Sequence, residues 1–360
     1  MIKLKKYMKF NKELNIEGKL ISLNSPTFVI AEAGVNHGGS MSVAKLLVDL
    51  AVEAKADAVK FQTFKTENLI LNNIQKAPYQ KNTTDKNETQ YEMLKRLEIT
   101  QEQNFELKQY CTRKGIVFLT TPFDEESLNE IDELDLPAYK VSSTDATNLP
   151  FLEKIAKKGK PIFLSTGMSY LLEVELALKT IFKYNKDVVL LQCTANYPIQ
   201  ANEANLAVIN TYRDNFDILL GYSDHSIGVG AAPFAIPMGA KVIEKHFTLD
   251  KNLPGPDHFF ALTPNELKQM IDSIRNTELA YGTGKKEVLE EEVKTRKFAK
   301  RSLQAITDIS KGDILELGIN FDILRPGDRL RGLEARFVTD IIGKKSKLDV
   351  AKGDGINEFE

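Results

Sequence analysis

The sequence predicts an α/β protein: a closed (β/α)8 barrel of the TIM type, followed by a small β-rich domain. Three observations carry that prediction. Apolar runs of strand length alternate with longer segments in which leucine, valine and alanine recur at helical spacing. Eight such runs fall within about 250 residues, the size and rhythm of such a barrel. Run after run also ends in a chemically capable side chain. An open doubly wound sheet shares the rhythm, but a barrel brings every strand end to one mouth.

Residues 1–26 precede the first barrel strand. The opening Met1-Ile2-Lys3-Leu4-Lys5-Lys6 is basic and leads into polar Asn11-Lys12-Glu13-Leu14-Asn15, so it lacks the apolar core of a signal peptide. Asn15-Ile16-Glu17-Gly18-Lys19-Leu20-Ile21-Ser22-Leu23 reads as a small hairpin capping the barrel's bottom. The barrel is expected over 27–284. Its strands are expected at 27–32, 58–63, 116–121, 138–143, 161–166, 188–194, 218–223 and 241–247, with helices such as 42–54 and 172–184 between them. The strand ends carry Glu32, then Lys60 and Gln62, Thr121, Lys140 and Ser143, Ser165, Tyr197 just beyond its strand, Ser223 and His225, and His246. Residues 285–300 are a dense charge run of helical character and read as a linker. Residues 301–360 show short β-prone pieces broken by Lys311-Gly312-Asp313, Arg325-Pro326-Gly327-Asp328 and Lys352-Gly353-Asp354-Gly355. That is a second domain of about 60 residues, small enough to need a docking surface.

Composition narrows the class of partner. The 360 residues are 42% hydrophobic and 27% charged with a formal net charge of −2, which gives no reason to expect nucleic acid or membrane as partners. No apolar run reaches membrane-spanning length. Cys111 and Cys193 lie far apart without CxxC spacing, so a reducing cytoplasm is the expected setting.

Histidine is the scarcest chemically useful residue. There are 4, and His225, His246 and His258 share one stretch while His37 sits in the first glycine-rich loop. His225 and His246 each end an apolar run. If those strands are parallel neighbours, both imidazoles emerge at one edge, where they could share a divalent metal.

Six ordered motifs then give the chain a close resemblance to the sialic acid synthases. They are Ile30-Ala31-Glu32-Ala33-Gly34-Val35-Asn36-His37-Gly38-Gly39, Val59-Lys60-Phe61-Gln62-Thr63, Thr121-Pro122-Phe123-Asp124, Leu164-Ser165-Thr166-Gly167-Met168, Gly221-Tyr222-Ser223-Asp224-His225 and Ile243-Glu244-Lys245-His246-Phe247. The resemblance runs on into the last 60 or so residues, which look like the antifreeze-like (SAF, β-clip) domain. It implies condensation of phosphoenolpyruvate with the open-chain aldehyde of an N-acyl hexosamine, giving a nine-carbon 2-keto acid and phosphate. It also implies a divalent cation, manganese with magnesium or cobalt as alternatives, and a domain-swapped homodimer.

Residue by residue, the resemblance assigns Lys60, Lys140, Thr121, Ser143, Ser165 and Ser223 to phosphoenolpyruvate, whose phosphate and carboxylate need cations and hydroxyl donors. Strand-end capping is the competing account of the hydroxyls, and a structural lysine there would need an acidic partner. His225 and His246 match the metal ligands. Glu32, Gln62, Tyr197 and Asp257 match the sugar contacts, with Glu32 also placed for a salt bridge to Lys60. Arg325 matches an arginine sent across the dimer to the sugar's acyl group, and Phe298 an aromatic near it. His37 and His258 serve loop positioning or chemistry equally well.

The departures concern the sugar. Ser143-Thr144-Asp145 stands where many relatives have Ser-Gly-Glu, so Asp145 offers its carboxylate for proton handling on a shorter stem. Ala195 and Arg325-Pro326-Gly327-Asp328-Arg329 also differ from common forms. The Ala77-Pro78-Tyr79-Gln80 and Thr83-Thr84 loop resembles sialic and legionaminic acid synthases, whereas Asp250-Lys251-Asn252-Leu253-Pro254-Gly255 resembles spore-coat homologues. Two other readings stay open: a metal-independent Schiff-base aldolase using Lys60 or Lys140, and a catalytically silent carbohydrate-binding protein.

Overall fold

In the computed structural model, which describes residues 8–72, 74–76, 80, 84–85 and 87–360, the chain first folds back on itself in a hairpin. Most of the basic opening segment, and Ala77, Pro78, Tyr79 and Thr83 of the loop compared above, lie outside the described residues. Strands β1 (Glu13–Ile16) and β2 (Lys19–Ser22) pair antiparallel across Glu17 and Gly18, whose φ angles are 49° and 85°. Two positive φ values in a two-residue loop match the right-handed twist of the strands, and Gly18 N donates to Asn15 Oδ1 at 2.7 Å.

Eight parallel strands follow: β3 (Phe28–Gly34), β4 (Ala58–Thr63), β5 (Val117–Pro122), β6 (Tyr139–Val141), β7 (Ile162–Ser165), β8 (Val188–Cys193), β9 (Leu219–Asp224) and β10 (Ala240–His246). Each lies within two residues of its expected bounds. The order β5-β4-β3-β10-β9-β8-β7-β6 wraps the sheet round on itself, with β5 and β6 as neighbours in space but without a ladder between them among the described residues. The barrel therefore closes everywhere except at one seam. The expected strand 138–143 is cut short beside that seam: Ser142 Oγ accepts from Thr144 N at 3.3 Å, and Ser143–Asp145 turn into a short 3-10 helix.

Helices return the chain between strands. Met41–Glu53 starts at Ser40, whose hydroxyl accepts from Val43 N, and buries Ala44, Leu47, Val48 and Ala51 on one face. Leu171–Phe182 does the same with Val174, Ala177, Leu178 and Ile181. Those faces pack against the outward strand residues, including Val29, Val59, Phe118, Leu164 and Ile243. The inward residues form a separate cluster in which Leu14, Ile16 and Ile21 of the hairpin join Phe28, Ile30, Ala58, Leu119, Phe163, Leu191 and Val242. The hairpin thus floors the barrel. No helix among the described residues is long and apolar enough to cross a membrane.

The chain divides into two units, Met1–Gly282 and Thr283–Glu360. The second holds the exposed helix Glu290–Ala299 and an antiparallel pair, β11 (Ser302–Ala305) and β12 (Phe321–Leu324). Its core is Leu303, Ala305, Ile309, Leu315, Phe321, Ile341 and Ile356.

The floor is a load on stability that can be measured. Ile16 is fully buried, so Ile16→Ala should lower stability by about 2–5 kcal/mol, read as a lower urea midpoint at unchanged slope. Leu20→Ala, on the hairpin's exposed side, should stay within about 0.5 kcal/mol. Equal effects would refute the flooring role.

Candidate active site at the barrel mouth

The inward side chains change character along each strand. Ile30 gives way to Glu32, Ala58 to Lys60 and Gln62, Leu119 to Thr121, Ala138 to Lys140, Phe163 to Ser165, Leu191 to Cys193, Leu219 to Ser223, and Val242 to Glu244 and His246. The period of two along a strand keeps each series on one face, so an apolar floor and a polar mouth share the same lining. These polar residues, with Phe123, Ser142, Ser143, Tyr197 and His225, line one cavity. Gly221 interrupts the β9 series because a Cβ there would come within 2.3 Å of Leu191 Cδ2 and 2.6 Å of Val242 O.

Four buried charges organise the cavity. Lys60 Nζ lies 2.8 Å from Glu32 Oε2 and donates to Thr121 Oγ1 at 2.7 Å. Glu244 stands between the lysines, 3.9 Å from Lys60 and 3.4 Å from Lys140, and accepts from Ser223 Oγ at 3.1 Å. Gln62 Nε2 donates to the other oxygen of Glu32 at 3.1 Å. Burial pulls the Lys140 ammonium below its ordinary value, against the opposing charge of Glu244. Burial would raise the Glu244 carboxyl, but Lys140, Lys60 and Ser223 together hold it down. For Glu32 burial wins over Lys60, and its carboxyl is raised. The Glu32–Lys60 salt bridge expected from the sequence is present.

The histidines meet as expected for parallel neighbours, with ring centroids 5.7 Å apart. His225 Nδ1 lies 2.8 Å from Thr194 O. A carbonyl only accepts, so Nδ1 carries a proton, and whenever the ring is neutral the lone pair is on Nε2. Burial works against a charge on His225, but Cys193, 3.9 Å from Nδ1, and Thr194 O favour it and hold the pKa above its ordinary value. Burial lowers His246 well below its ordinary pKa, which favours the neutral imidazole, and its Nδ1 is buried without a hydrogen bond among the described residues. Tyr197 and Phe260 wall the pair, at 4.2 Å from the His225 ring and 5.2 Å from the His246 ring. Gly34, at φ 53°, leaves space that a Cβ would fill, 3.3 Å from Glu32 Oε1 and Gln62 Nε2 and 3.4 Å from His246 Cε1. Among the described residues no group of three or more His, Cys, Asp or Glu is placed to hold a metal. The close pair of imidazoles, with His246 Nδ1 left unbonded among the described residues, is the donor set that a cation taking two imidazoles would use, its other positions going to water or substrate.

Asp257 joins the cluster from the loop after β10, with Oδ2 3.8 Å from His246 Nδ1. Burial, reinforced by Glu32 and opposed by His225, pushes its carboxyl up to about 7. Ser143 accepts from Gly167 N at 2.8 Å, and the buried Ser165 hydroxyl has no hydrogen-bond partner among the described residues. Asp145 does not line the cavity; Asn148 Nδ2 and Thr144 Oγ1 each donate to its carboxylate at 3.2 Å. His37 and His258 line a separate cavity and are tied locally, His37 Nδ1 accepting from Gly39 N at 3.0 Å and His258 Nδ1 lying 2.6 Å from Thr248 Oγ1. Phe298 and Arg325 belong to the second unit, where Gly327 N donates to Phe298 O at 3.2 Å and both side chains are exposed.

Glu244, Cys193, Ser142 and Phe123 are the cavity residues that the strand-end reading passed over. Glu244 was legible: it lies two residues before His246, as Ser223 lies two before His225. Cys193 resembles an ordinary apolar strand residue, and nothing in the sequence separates it from one.

A parallel barrel that gathers two lysines, two glutamates, several hydroxyls and two imidazoles at its C-terminal mouth has the layout of an enzyme scaffold, with its polar groups collected in one cavity. The particular family follows from comparison: residues 47–286 match the NeuB family, and the chain belongs to it. It is 41% identical over 331 residues to the N,N'-diacetyllegionaminic acid synthase of Legionella pneumophila, covering 91% of this chain and 92% of that one. Against the protein of the same name from Campylobacter jejuni it is 42% identical, covering 92% and 99%. The crystal structure of N-acetylneuraminic acid synthetase from Leptospira borgpetersenii, in complex with citrate, superposes with a TM-score of 0.70 at 32% identity over 80% of this chain and 97% of that one.

The Asp257 carboxyl gives a pH test. It stays protonated in the folded protein up to about 7 and ionises near 3.8 when unfolded, so its contribution is fully present below 3.8 and lost as pH rises through about 7. In metal-free protein, the urea midpoint of the wild type should fall more than that of Asp257→Asn between about pH 4.5 and about pH 7.5. Parallel curves would show that the carboxyl is not held protonated.

Proposed function

We propose that the chain condenses phosphoenolpyruvate with the open-chain aldehyde of an N-acyl hexosamine, releasing phosphate and a nine-carbon 2-keto acid. The observation that carries this reading is the composition of one cavity. Lys60, Lys140 and a ring of hydroxyls lie beside a neutral imidazole and its partner histidine, with Glu32 and Gln62 at the same wall.

Phosphoenolpyruvate brings a phosphate and a carboxylate. Lys60 and Lys140 take these charges, with Thr121, Ser143, Ser165 and Ser223 donating to the remaining oxygens; the unpartnered Ser165 hydroxyl is free for that role. The sugar rests against Glu32 and Gln62, already bonded to each other, and against the ring of Tyr197. Asp257, titrating near neutrality, can give or take a proton as the aldehyde oxygen changes charge. A divalent cation at His225 and His246, manganese in this reading, supplies Lewis acidity toward that oxygen. In a homodimer, Arg325 and Phe298 would serve the acyl group of the sugar bound in the opposite copy; their shared local turn and exposure support that role. Asp145 would orient the mouth rather than touch the sugar. Two relatives named N,N'-diacetyllegionaminic acid synthase favour a 2,4-diacetamido-2,4,6-trideoxymannose over N-acetylmannosamine.

Phosphate release from phosphoenolpyruvate with manganese and either sugar tests the reading. Release is expected with the diacetamido sugar, abolished by EDTA, and lowered in kcat by about a hundredfold or more in His246→Ala. EDTA-resistant turnover with borohydride trapping on Lys60 or Lys140 would instead identify a Schiff-base aldolase. No release from folded protein with either sugar would leave a binding protein.

A further inference from the structure

Directly outside the cavity wall, β9 and β10 are joined by an ion pair that the proposed chemistry does not use. Lys245 Nζ donates to Asp224 Oδ2 at 2.8 Å, Ser226 O at 2.6 Å and Ser226 Oγ at 3.3 Å, an acceptor for each of its protons. The other Asp224 oxygen accepts from Tyr222 OH at 3.1 Å, Ser226 N at 2.8 Å and Ser226 Oγ at 2.6 Å. Side-chain exposure is 2% for Lys245 and 0% for Asp224. The chain then closes over the network: a Cβ on Gly230, at φ 62°, would lie 2.1 Å from Ser226 Oγ and 3.1 Å from both Asp224 Oδ2 and Lys245 Nζ.

The network's place in the ladder gives it meaning. Lys245 is paired with Asp224, and the preceding pair, Glu244 with Ser223, is bonded on the cavity side. His246 and His225 are the residues that directly follow Lys245 and Asp224. Inward and outward residues alternate, so two consecutive cross-strand pairs, one on each side of the wall, fix the strands just before the imidazoles leave them. A buried ion pair adds little net stability over an apolar pair of similar volume, whereas it does impose a defined separation and orientation. Here that separation lies between the two strands that carry the histidines.

The geometry points to Asp224, Lys245 and Ser226 as positioning residues: a clamp that sets the spacing of His225 and His246 for a shared divalent cation. This rests on the reading that these histidines hold the cation. The test uses the full chain and Mn2+ alone, with bound ion followed by loss of the free-ion electron paramagnetic resonance signal. Asp224→Asn combined with Lys245→Met removes both charges together and leaves no unpaired buried ion. It should keep a Tm near that of the wild type while weakening Mn2+ binding by about 10–100-fold, and it should raise the Mn2+ concentration for half-maximal phosphate release more than it lowers kcat at saturating Mn2+. Ser226→Ala keeps both charges and should give a smaller loss in the same direction; it decides the matter if the double variant does not fold. Wild-type Mn2+ binding with unchanged affinity in the folded variants would overturn the clamp. Absence of wild-type binding, or equal binding by His246→Ala, would instead overturn the cation assignment beneath it.

Discussion

Two lysines and two glutamates occupy the upper interior of the barrel with almost no exposure, and they can be there only as a set. A single ionised group in that position would cost several kcal/mol in lost hydration. Glu32 meets Lys60, Glu244 lies between Lys60 and Lys140, and Thr121, Ser223 and Gln62 complete the coordination. The set is close to neutral. The cations of the cavity are thus already fixed by the carboxylates, and in the proposed reaction an anionic substrate would exchange partners with them without ordering new side chains. This is preorganisation in the strict sense: the ordering entropy is spent in folding, before any ligand arrives.

That arrangement demands a floor. Water rising through the barrel axis would rehydrate the charges and relax their geometry. Leu14, Ile16 and Ile21 of the hairpin prevent this by joining the inward apolar residues below the cavity. The hairpin and the mouth lie at opposite ends of the barrel's strands, yet they serve one electrostatic purpose.

The strand pattern and the convergence of strand ends were legible because both arise from local rules. A buried parallel strand is an apolar run, and a period of two puts Lys60 with Gln62, and Ser223 with His225, on one face. The Glu32–Lys60 pairing followed from the need to match a buried charge. The rest needed coordinates. The early end of β6 coincides with the Ser142 hydroxyl accepting from Thr144 N, a local hydrogen bond that offers the backbone an alternative to the ladder. Asp145 faces Asn148 and Thr144 for the same reason, since the 3-10 turn that ends the strand also redirects its side chain. Cys193 is silent in sequence, because a small apolar residue at a strand end gives no sign that an imidazole will lie beside it.

The seam between β5 and β6 has a mechanical consequence. Eight strands in the observed order make seven bonded junctions and leave one, between β5 and β6, that is in contact but carries no ladder among the described residues. Around most of the circumference, stretching the wall means breaking hydrogen bonds; at the seam it means only sliding side chains. Thr121 stands on one lip of that opening and Lys140 on the other. The wall is thus hydrogen-bonded between the two strands that lead to the imidazoles and packed without a ladder where Thr121 and Lys140 face each other, so the two sides of the mouth are held by different kinds of contact.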